Sequence, residues 1–442
     1  MHTYTTTASA HTSASQRVDA PDIRTIAVVG LGYVGLPLAI RAESCGYDVR
    51  GFDTDAAKVR SLSKHEAPFL SAEEAAGLAK SRMRMSADTA VLAGADAYII
   101  CVPTPVDDDH MPDLRPLVGA ARSVGRALAR GALVVVESTV NPGACESIAL
   151  PVIERESGLA VSEDFFYAHC PERINPGDTD WGVSNIPRVM GASDATSLSL
   201  ATALYRDIID AEIVQMASIQ EAEAVKMVEN AFRDVNIAFV NELAMSFARA
   251  GIDIGNVIRG ASSKPFGFMP HFPGCGVGGH CIPVDPYYLI RYGQENGFEH
   301  RFLKAAREIN EGMPAYAVGL LEEALGRSLA GTSIALLGLS YKRDVPDLRE
   351  SPALVIRELL RTKEARVRSF DPFLPGESDV RGLAGALAGA DAALIATDHT
   401  VFSALEPQDF LAEGVTTVVD GRNCLDKEAF LAAGITYRGI GR

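Results

Sequence analysis

Short apolar runs alternate with helix-like stretches over the first part of the chain. The runs that predict strands are Thr25–Val29, Val49–Asp53, Ala97–Val102, Leu133–Val136 and Phe166–Ala168. The stretches between them, such as Leu36–Cys45, have a helical composition. Strands that alternate with helices are typical of a parallel sheet covered by helices on both faces.

The pattern changes after Ser218. Neither Gly nor Pro interrupts Ile219–Arg249, and apolar residues recur there at helical spacing, which predicts an amphipathic helix of about 30 residues. Such a helix is long enough to link two domains. The following Lys264–Pro286 is crowded with Gly and Pro, which predicts an irregular loop of functional type. Strand-like runs then return at Ile334–Gly338, Val367–Asp371, Ala392–Ala396 and Thr416–Val419, with a predicted helix at Ser351–Leu360.

The composition is that of an ordinary globular protein. Of 442 residues, 47% are hydrophobic and 22% charged, and no apolar run approaches the roughly 20 residues that cross a bilayer. The net charge of −16 argues against a nucleic-acid partner, because Lys and Arg supply most of the affinity for phosphates. Residues 1–20 lack the apolar stretch of a secretory signal, and we expect them to form a disordered tail.

The seven cysteines are scattered and include no C-x-x-C pair. This pattern favours a reduced, cytoplasmic protein over a disulfide framework. Cys275 and Cys281 are close enough along the chain to raise the question of a disulfide, although we expect both thiols to be reduced.

A glycine motif follows the first predicted strand. Gly30, Gly32 and Gly35 have G-x-G-x-x-G spacing between a strand and a helix, which is the context of a dinucleotide site. The first glycine permits the tight turn, the second lets a pyrophosphate approach, and the third lets helix and strand pack closely. Asp53 ends the second strand, where a carboxylate bonds a ribose 2′-hydroxyl and repels a 2′-phosphate. We therefore predict NAD rather than NADP. The alternative to a dinucleotide site is that the glycines form an ordinary turn and that Asp53 is a solvated strand end.

The glycine-rich loop contains a candidate nucleophile, Cys281, within Gly278-Gly-His-Cys-Ile-Pro-Val-Asp285. A thiol can add to an aldehyde, and hydride loss from the resulting thiohemiacetal gives a thioester that water hydrolyses. Taken alone, a cysteine in such a loop is more often structural. His280 beside it invites a metal site, but other ligands are missing at recognisable spacing, so we predict no metal.

Three polar residues of the long helix, Lys226, Asn230 and Arg233, are spaced i, i+4, i+7 and share one face. Lys and Asn are good oxyanion donors if they point into a cleft. A solvated polar face is the commoner reading of such a pattern, and the sequence pattern by itself leaves both open.

Taken together, these residues resemble the nucleotide-sugar dehydrogenase family, which includes UDP-glucose, GDP-mannose and UDP-N-acetylhexosamine 6-dehydrogenases. The resemblance covers residues 24–440. Its markers are Gly30–Gly35, Cys101-Val-Pro-Thr-Pro105, Glu137-Ser-Thr139, Pro171-Glu-Arg173, Lys226 with Asn230, Gly278–Asp285, Gly338-Leu-Ser-Tyr-Lys-Arg-Asp344 and Arg349-Glu-Ser-Pro352.

The resemblance implies an α/β fold with two Rossmann-like, doubly wound domains joined by a long central helix and a helical middle domain. With residues 1–20 as the tail, we expect an NAD-binding Rossmann domain over 21–212, a central helical domain with the Cys loop over 213–325, and a UDP-binding Rossmann-like domain over 326–442. The implied cofactor is NAD and the implied partner is a UDP-sugar substrate. We also expect a homodimer or higher homo-oligomer through the central helix, and a role in bacterial surface polysaccharide synthesis.

Site residues carry over position by position. In this resemblance Cys281 looks like the thioester nucleophile, Lys226 and Asn230 the oxyanion stabilisers, Asp285 and Thr139 the pair that holds a water, and Glu172 the carboxylate of thioester hydrolysis. Predicted cofactor contacts are Gly30, Gly32, Tyr33, Val34, Gly35, Asp53, Lys58, Thr104, Thr139 and Arg349. Predicted substrate contacts are Glu172, Arg173, Lys226, Asn230, Arg233, Lys264, Phe272, Gly278, Tyr341 and Lys342.

One departure bears on the sugar. UDP-glucose members typically carry Lys immediately before the position of Asp285, where this chain has Val284. The segments Lys264–Pro270 and Pro171–Gly177 also look most like UDP-N-acetylhexosamine dehydrogenases. We therefore favour UDP-N-acetylglucosamine, with UDP-N-acetylmannosamine next and UDP-glucose as the alternative.

Two other classes of function compete with this interpretation. A two-electron dehydrogenase of the hydroxyacid type shares an NAD domain joined to a long helix, but it needs neither Cys281 nor a second α/β domain. A non-catalytic NAD-binding or scaffold protein would not require Lys226 or Cys281 at all.

Overall fold

The computed structural model describes residues 21–105, 112–174, 180–279 and 281–442, so the predicted tail lies outside the described residues. The chain divides into two compact units, the first ending at Lys226 and the second beginning at Met227. In the described part of the chain, no helix combines the length and the apolar character needed to cross a membrane.

An eight-stranded sheet organises the first unit. Its strands are β1 (Thr25–Val29), β2 (Asp48–Phe52), β3 (Arg84–Ser86), β4 (Ala97–Ile100), β5 (Leu133–Val136), β6 (Phe166–His169), β7 (Arg188–Ala192) and β8 (Ile213–Gln215). They lie in the order β3-β2-β1-β4-β5-β6-β7-β8. The prediction of a parallel sheet is wrong at one place, since β7 runs antiparallel to β6. The described residues of the connection between them contain no crossover helix, and a parallel pair would need a crossover connection.

Helices cover both faces of this sheet. They are α1 (Gly35–Ser44), α2 (Ala56–Leu62), α3 (Ala72–Lys80), α4 (Arg115–Ala127), α5 (Leu150–Ser157) and α6 (Ala195–Ile208), with a 3₁₀ turn at Thr89–Leu92 and a π-helical turn at Cys145–Ala149. Alternate residues of β1 enter different cores. Ile26 and Val28 pack on one side, and Ala27 and Val29 on the other. A strand buried on both faces explains the continuous apolar runs in the sequence.

The predicted long helix is confirmed as α7 (Ile219–Arg249), which contains the division between the two units. It is followed by α8 (Ile254–Ser262), α9 (Asp285–Glu295) and α10 (Arg301–Leu325). The described residues between α8 and α9 form neither helix nor strand, as the Gly and Pro content predicts.

A five-stranded parallel sheet follows in the second unit. Its strands are β9 (Ser333–Leu337), β10 (Arg366–Phe370), β11 (Ala392–Ile395), β12 (Thr417–Asp420) and β13 (Thr436–Gly439), in the order β10-β9-β11-β12-β13. The remaining helices are α11 (Pro352–Thr362), α12 (Leu383–Leu387), α13 (Thr400–Ser403), α14 (Pro407–Leu411) and α15 (Lys427–Ala432). Ile334 and Leu336 pack on one face of this sheet, and Ala335 and Leu337 on the other. The predicted fold class, α/β with two Rossmann-like domains and a helical middle region, is confirmed.

Candidate active site

The glycine motif joins β1 to α1 in a turn, and its three glycines differ in how much space a side chain would have. Gly30 has φ +97°, and a Cβ there would lie 2.5 Å from the carbonyl oxygen of Cys101. A Cβ on Gly35 would lie 1.9 Å from the carbonyl oxygen of Gly30. By contrast, a Cβ on Gly32 would meet no atom within 4 Å. The outer two glycines are therefore required by packing, and the middle one leaves open space at the start of a helix, where a pyrophosphate fits.

Asp53 holds this turn through both of its carboxylate oxygens. Its Oδ2 accepts a hydrogen bond from the backbone N–H of Leu31 at 2.9 Å, and Lys58 Nζ lies 2.8 Å from the same oxygen. Its Oδ1 accepts the N–H of Asp55. The side chain is 7% exposed, and Lys58 compensates its charge. The lysine predicted as a cofactor contact is therefore the ion-pair partner of the predicted ribose ligand.

Tyr33 and Val34 complete the turn. Tyr33 is 51% exposed, and its ring lies 4.7 Å from that of Phe69. Val34 occupies the N-cap of α1 without a side-chain cap. In the first turn of α1 the backbone N–H of Leu36 donates to the carbonyl oxygen of Gly32 at 3.2 Å, and Pro37 has no N–H.

The carboxyl ends of β4, β5 and β6 bring other predicted residues together. Thr104 Oγ1 donates a hydrogen bond to the carbonyl oxygen of Thr139 at 2.6 Å. The backbone N–H of Glu172 donates to the carbonyl oxygen of Glu137 at 3.3 Å. Ligands of open α/β sheets bind outside the carboxyl ends of the strands, so this edge of the first unit is where its chemistry belongs.

A charged residue that the sequence analysis missed lies behind Glu172. Arg188, the first residue of β7, is completely buried, with Nη1 3.3 Å from Glu172 Oε1 and 3.7 Å from Glu137 Oε2. Arg173, predicted to contact substrate, donates from Nη1 to the carbonyl oxygen of Pro187 at 2.9 Å. The sequence signal for Arg188 was weak, because a charged residue at the start of a short strand usually faces solvent.

In the second unit Cys281 is exposed, whereas Cys275 is buried. All seven cysteines lie in the described part of the chain, and none of them forms a disulfide. The Cys275 thiol donates to the carbonyl oxygen of Gly421 at 3.5 Å, and burial raises its pKa to about 12. The two cysteines of the loop therefore differ: Cys275 is packed in the core, and Cys281 is accessible to a reagent.

Cys281 is directly connected to the start of α9. Its carbonyl oxygen accepts the backbone N–H groups of Val284 at 3.1 Å and Asp285 at 2.8 Å. The Asp285 carboxylate accepts a hydrogen bond from Asn230 Nδ2 on α7. The fold therefore brings together Asn230 and Asp285, which the sequence separates by 55 positions; the sequence analysis had paired Asp285 with Thr139 instead.

Lys226 lies one helical turn before Asn230 in α7 and is 7% exposed, while Arg233 is exposed. A nearly buried ammonium is the exception among lysines. The alternative interpretation, a solvated polar face, is therefore wrong for Lys226. It holds only for Arg233, at the other end of the three-residue face.

The Cys loop is anchored on both sides of the reactive residue. Asn241 on α7 accepts the backbone N–H of Gly274 at 3.0 Å and donates to Asn310 Oδ1 at 2.9 Å. On the other side, the N–H of Gly279 donates to the carbonyl oxygen of Arg349 at 2.9 Å. A Cβ on Gly278 would lie 2.5 Å from Tyr341 Cβ. Gly278 and Tyr341, predicted to touch substrate, thus touch each other.

The remaining predicted contacts are more exposed. Lys264 places Nζ 4.8 Å from the ring centroid of Phe266, and Phe272 is 66% exposed. Arg349 forms an ion pair with Asp347, its Nε lying 3.0 Å from Oδ1, and Lys342 is half-buried. His280 lies outside the described residues. No group of three or more candidate metal ligands occurs in the part of the chain that the structure describes.

The second sheet repeats the glycine turn of the first with two changes. Gly338 follows β9 with φ +91°, and Asp371 Oδ2 accepts the backbone N–H groups of Leu339 and Ser340, as Asp53 accepts that of Leu31. Ser340 now occupies the position of Gly32, and its hydroxyl contacts Asp371 at 3.1 Å. No helix begins at this turn, since α11 starts only at Pro352. The turn therefore lacks the helix N-terminus that a dinucleotide pyrophosphate uses.

Sequence comparison covers the same regions. Three models of the UDP-glucose/GDP-mannose dehydrogenase family match: the NAD binding domain at residues 24–209, the central domain at 220–312 and the UDP binding domain at 335–427. The chain is 42% identical over 355 residues to UDP-N-acetyl-D-glucosamine 6-dehydrogenase of Pseudomonas aeruginosa, covering 80% of this chain and 83% of that protein. It is 39% identical over 427 residues to UDP-N-acetyl-D-mannosamine dehydrogenase of Pyrococcus horikoshii, covering 94% and 99%.

The structural comparison agrees. A solved structure of the UDP-D-ManNAc dehydrogenase from Pyrococcus horikoshii superposes with a TM-score of 0.89 at 37% identity, covering 95% of this chain and 99% of that one. The matches extend through both sheets and the helices between them. The chain belongs to the UDP-glucose/GDP-mannose dehydrogenase family, and it is an NAD-dependent nucleotide-sugar 6-dehydrogenase.

Proposed function

We propose that the protein oxidises the C6 hydroxyl of a UDP-N-acetylhexosamine to the carboxylate, with UDP-N-acetylglucosamine favoured and UDP-N-acetylmannosamine next. The observation that carries the proposal is the exposed thiol of Cys281 in a loop anchored on both sides. A two-electron alcohol dehydrogenase has no use for such a thiol, whereas the step from aldehyde to acid needs a nucleophile.

The proposed reaction has three stages. In the first, the alcohol loses a hydride and a proton to give the aldehyde. The thiol of Cys281 then adds to the aldehyde carbon to give a thiohemiacetal, and loss of a second hydride together with the hydroxyl proton leaves a thioester. Water finally breaks the C–S bond, releasing the carboxylate, the thiol and a proton. NAD, when bound at the Gly30–Gly35 turn, accepts the hydride in each oxidation, so that two NADH form per acid.

Lys226 and Asn230 are proposed to stabilise negative charge on the reacting oxygen. An ammonium acts most strongly on a developing oxyanion where water is excluded, and the near-burial of Lys226 fits that role. The hydrogen bond from Asn230 to Asp285 orients both side chains. Asp285 with Thr139 is proposed to hold a water, and Glu172 is proposed to act in thioester hydrolysis.

The sugar preference has a structural argument at Val284. This residue is 5% exposed and packs with Met227 and Tyr288 in a small apolar cluster. The lysine that UDP-glucose members typically carry here would have to bury its ammonium in that cluster, which is unfavourable without a partner. The local packing therefore supports an N-acetylhexosamine substrate, in keeping with the two relatives described above.

We also propose that the protein forms a homodimer or higher homo-oligomer through α7. Val228, Phe232 and Phe239 on this helix are 58%, 49% and 53% exposed. Large apolar side chains exposed along one helix are typical of an interface. The three predicted domains, with boundaries at 212/213 and 325/326, stay part of this proposal.

The test is an NADH-release assay over UDP-glucose, UDP-N-acetylglucosamine, UDP-N-acetylmannosamine and GDP-mannose, with the acid product quantified. We expect two NADH per acid and the highest kcat/KM with UDP-N-acetylglucosamine. Activity on UDP-glucose alone would overturn the substrate assignment, and a ratio of one NADH would overturn the four-electron reaction.

Cys281→Ala tests the nucleophile, and Cys45→Ala serves as the matched control because Cys45 is half-buried at the end of α1. We expect Cys281→Ala to form no acid and Cys45→Ala to retain activity. Acid formation by Cys281→Ala at the normal rate would exclude the thioester route.

A further inference from the structure

The first unit contains a buried charge cluster of which the reaction as described uses only Glu172. Arg188 is at the start of β7, Glu137 follows β5, and Glu172 follows β6. One nitrogen of the guanidinium, Nη1, lies within 3.3 Å of Glu172 and 3.7 Å of Glu137. All three side chains are at most 8% exposed.

The guanidinium is held by charge more than by hydrogen bonds. None of its three nitrogens makes a hydrogen bond with the described residues, and neither does Glu137 Oε2. Replacing a buried ion pair by apolar residues is often neutral or stabilising. Stability alone is therefore a poor explanation for an arginine at this position, and its neighbour Glu172 offers a better one.

Neutral groups surround the cluster on its other sides. Burial raises the pKa of the Cys101 and Cys170 thiols and of the Tyr205 hydroxyl well above their ordinary values. Burial also raises the pKa of Glu137, although Arg188 and a hydrogen bond from Tyr205 oppose the change.

Arg188 itself stays protonated. Burial lowers its pKa, but Glu137 and Glu172 together raise it above the ordinary value. Arg173 also contributes positive charge near Cys170.

We propose that Arg188 is a positioning residue for thioester hydrolysis, holding the Glu172 carboxylate in place from behind while Glu137 fixes the guanidinium on its other side. The inference rests on the proposed function, because it presumes that Glu172 takes part in hydrolysis. Glu172 accepts a proton from the water that attacks the thioester carbonyl. The C–S bond breaks, Cys281 leaves as the thiolate, and the acid forms; the proton then passes from Glu172 to solvent.

The local geometry gives Glu172 a second constraint. Its Oε1 accepts the backbone N–H of Ile174 as well as facing Arg188. With one oxygen engaged by the backbone and the guanidinium, the carboxylate has little rotational freedom. A fixed general base is more effective than a mobile one, because its proton acceptor is already in place.

The experiment compares hydride transfer with hydrolysis in Arg188→Met, Arg188→Lys and the wild type, by stopped-flow NADH absorbance and intact-protein mass. For Arg188→Met we expect the first two NADH per site to form at the wild-type rate, and later turnover to fall by about 100-fold. The mass of the sugar acyl group should then accumulate on Cys281. Tyr98→Phe is the control, because it removes one part-buried hydrogen bond, from Tyr98 on β4 of the same sheet to the carbonyl oxygen of Ala127 on α4. We expect it to leave both phases unchanged.

The split between the two phases is a readout that a purely structural role does not move. Arg188→Lys keeps a positive charge beside Glu172 and should show a smaller loss of hydrolysis than Arg188→Met, with hydride transfer unchanged.

Equal slowing of both phases without an acyl adduct would overturn the inference. If Arg188→Met does not fold, the same comparison in Arg188→Lys decides: a loss confined to hydrolysis supports the inference, and an equal loss in both phases overturns it. A wild type that forms no NADH with any of the four sugar nucleotides would instead overturn the proposed function itself.

Discussion

The glycine turn offers a prediction in which two neighbouring substitutions separate folding from cofactor binding. Gly35→Ala places a methyl group 1.9 Å from the backbone oxygen of Gly30 and 3.0 Å from Cys101 Cβ. Gly32→Ala, three residues earlier in the same turn, places it in space where no atom lies within 4 Å. The first should therefore affect the fold, and the second should affect the ligand.

The magnitudes follow from the contacts. Alanine in place of glycine favours a helix by roughly 0.5–1 kcal/mol, but an overlap with backbone that cannot move aside costs about 1–3 kcal/mol or more. The clash wins, so we expect Gly35→Ala to be destabilising by about 2 kcal/mol. In a unit of this size that corresponds to a fall in Tm of about 4–8 °C.

For Gly32→Ala we expect no change in Tm without ligand. A methyl group here keeps the pyrophosphate from the backbone N–H groups of the turn, and loss of one hydrogen bond to a charged group costs about 1.5–3 kcal/mol. NAD affinity should therefore fall by about 10- to 100-fold.

The assays are thermal unfolding by circular dichroism without ligand and NAD titration by calorimetry. A Gly32→Ala protein that unfolds as early as Gly35→Ala, yet binds NAD normally, would refute this interpretation of the turn.

Three further predictions concern the second unit, the first unit and the assembly. Asn241→Leu leaves the buried N–H of Gly274 without its acceptor, so we expect the free energy of unfolding, measured with denaturant, to fall by about 1–3 kcal/mol. Asn236→Ala on the same helix should leave it unchanged, and equal effects of the two substitutions would contradict this. Burial raises the pKa of Glu223 to about 7 from an ordinary 4.5, so between these pH values the folded state binds more protons than the unfolded state and becomes less stable as pH rises. Relative to Glu223→Gln, the wild type should therefore lose up to about 3 kcal/mol between pH 4.5 and 8, and a constant difference across this range would refute it. Phe232→Ser should weaken self-association in light scattering, and a monomeric wild type would exclude the proposed interface.

Strands with a continuous apolar pattern were predictable from the sequence. Strands that are very short, or that contain charged residues and glycine, were not. The apolar runs of β1, β4, β5, β9 and β11 lie within one or two residues of their predicted bounds, because strands buried on both faces are apolar throughout. The sequence analysis missed β3, β7, β8 and β13. Of these β3 and β8 have only three residues, and β7 and β13 contain arginine and glycine.

The candidate site divides in the same way. The roles of the outer glycines were readable from spacing, since a G-x-G-x-x-G turn between strand and helix has one geometry. The pairing of Asn230 with Asp285 and the difference between Cys275 and Cys281 were not, because each depends on residues distant in the chain.

By itself, the sequence determined the α/β class, the long helix, the dinucleotide turn and the cysteine to be considered as nucleophile. These depend on local periodicity and on glycines whose backbone demands are independent of context. Only the tertiary structure decided that Arg188 is buried against Glu137 and Glu172, that Asn241 anchors the Cys loop, and that β7 runs antiparallel. Each of those is a contact between segments far apart in the chain, whose energy depends on burial and charge compensation that only the folded arrangement creates.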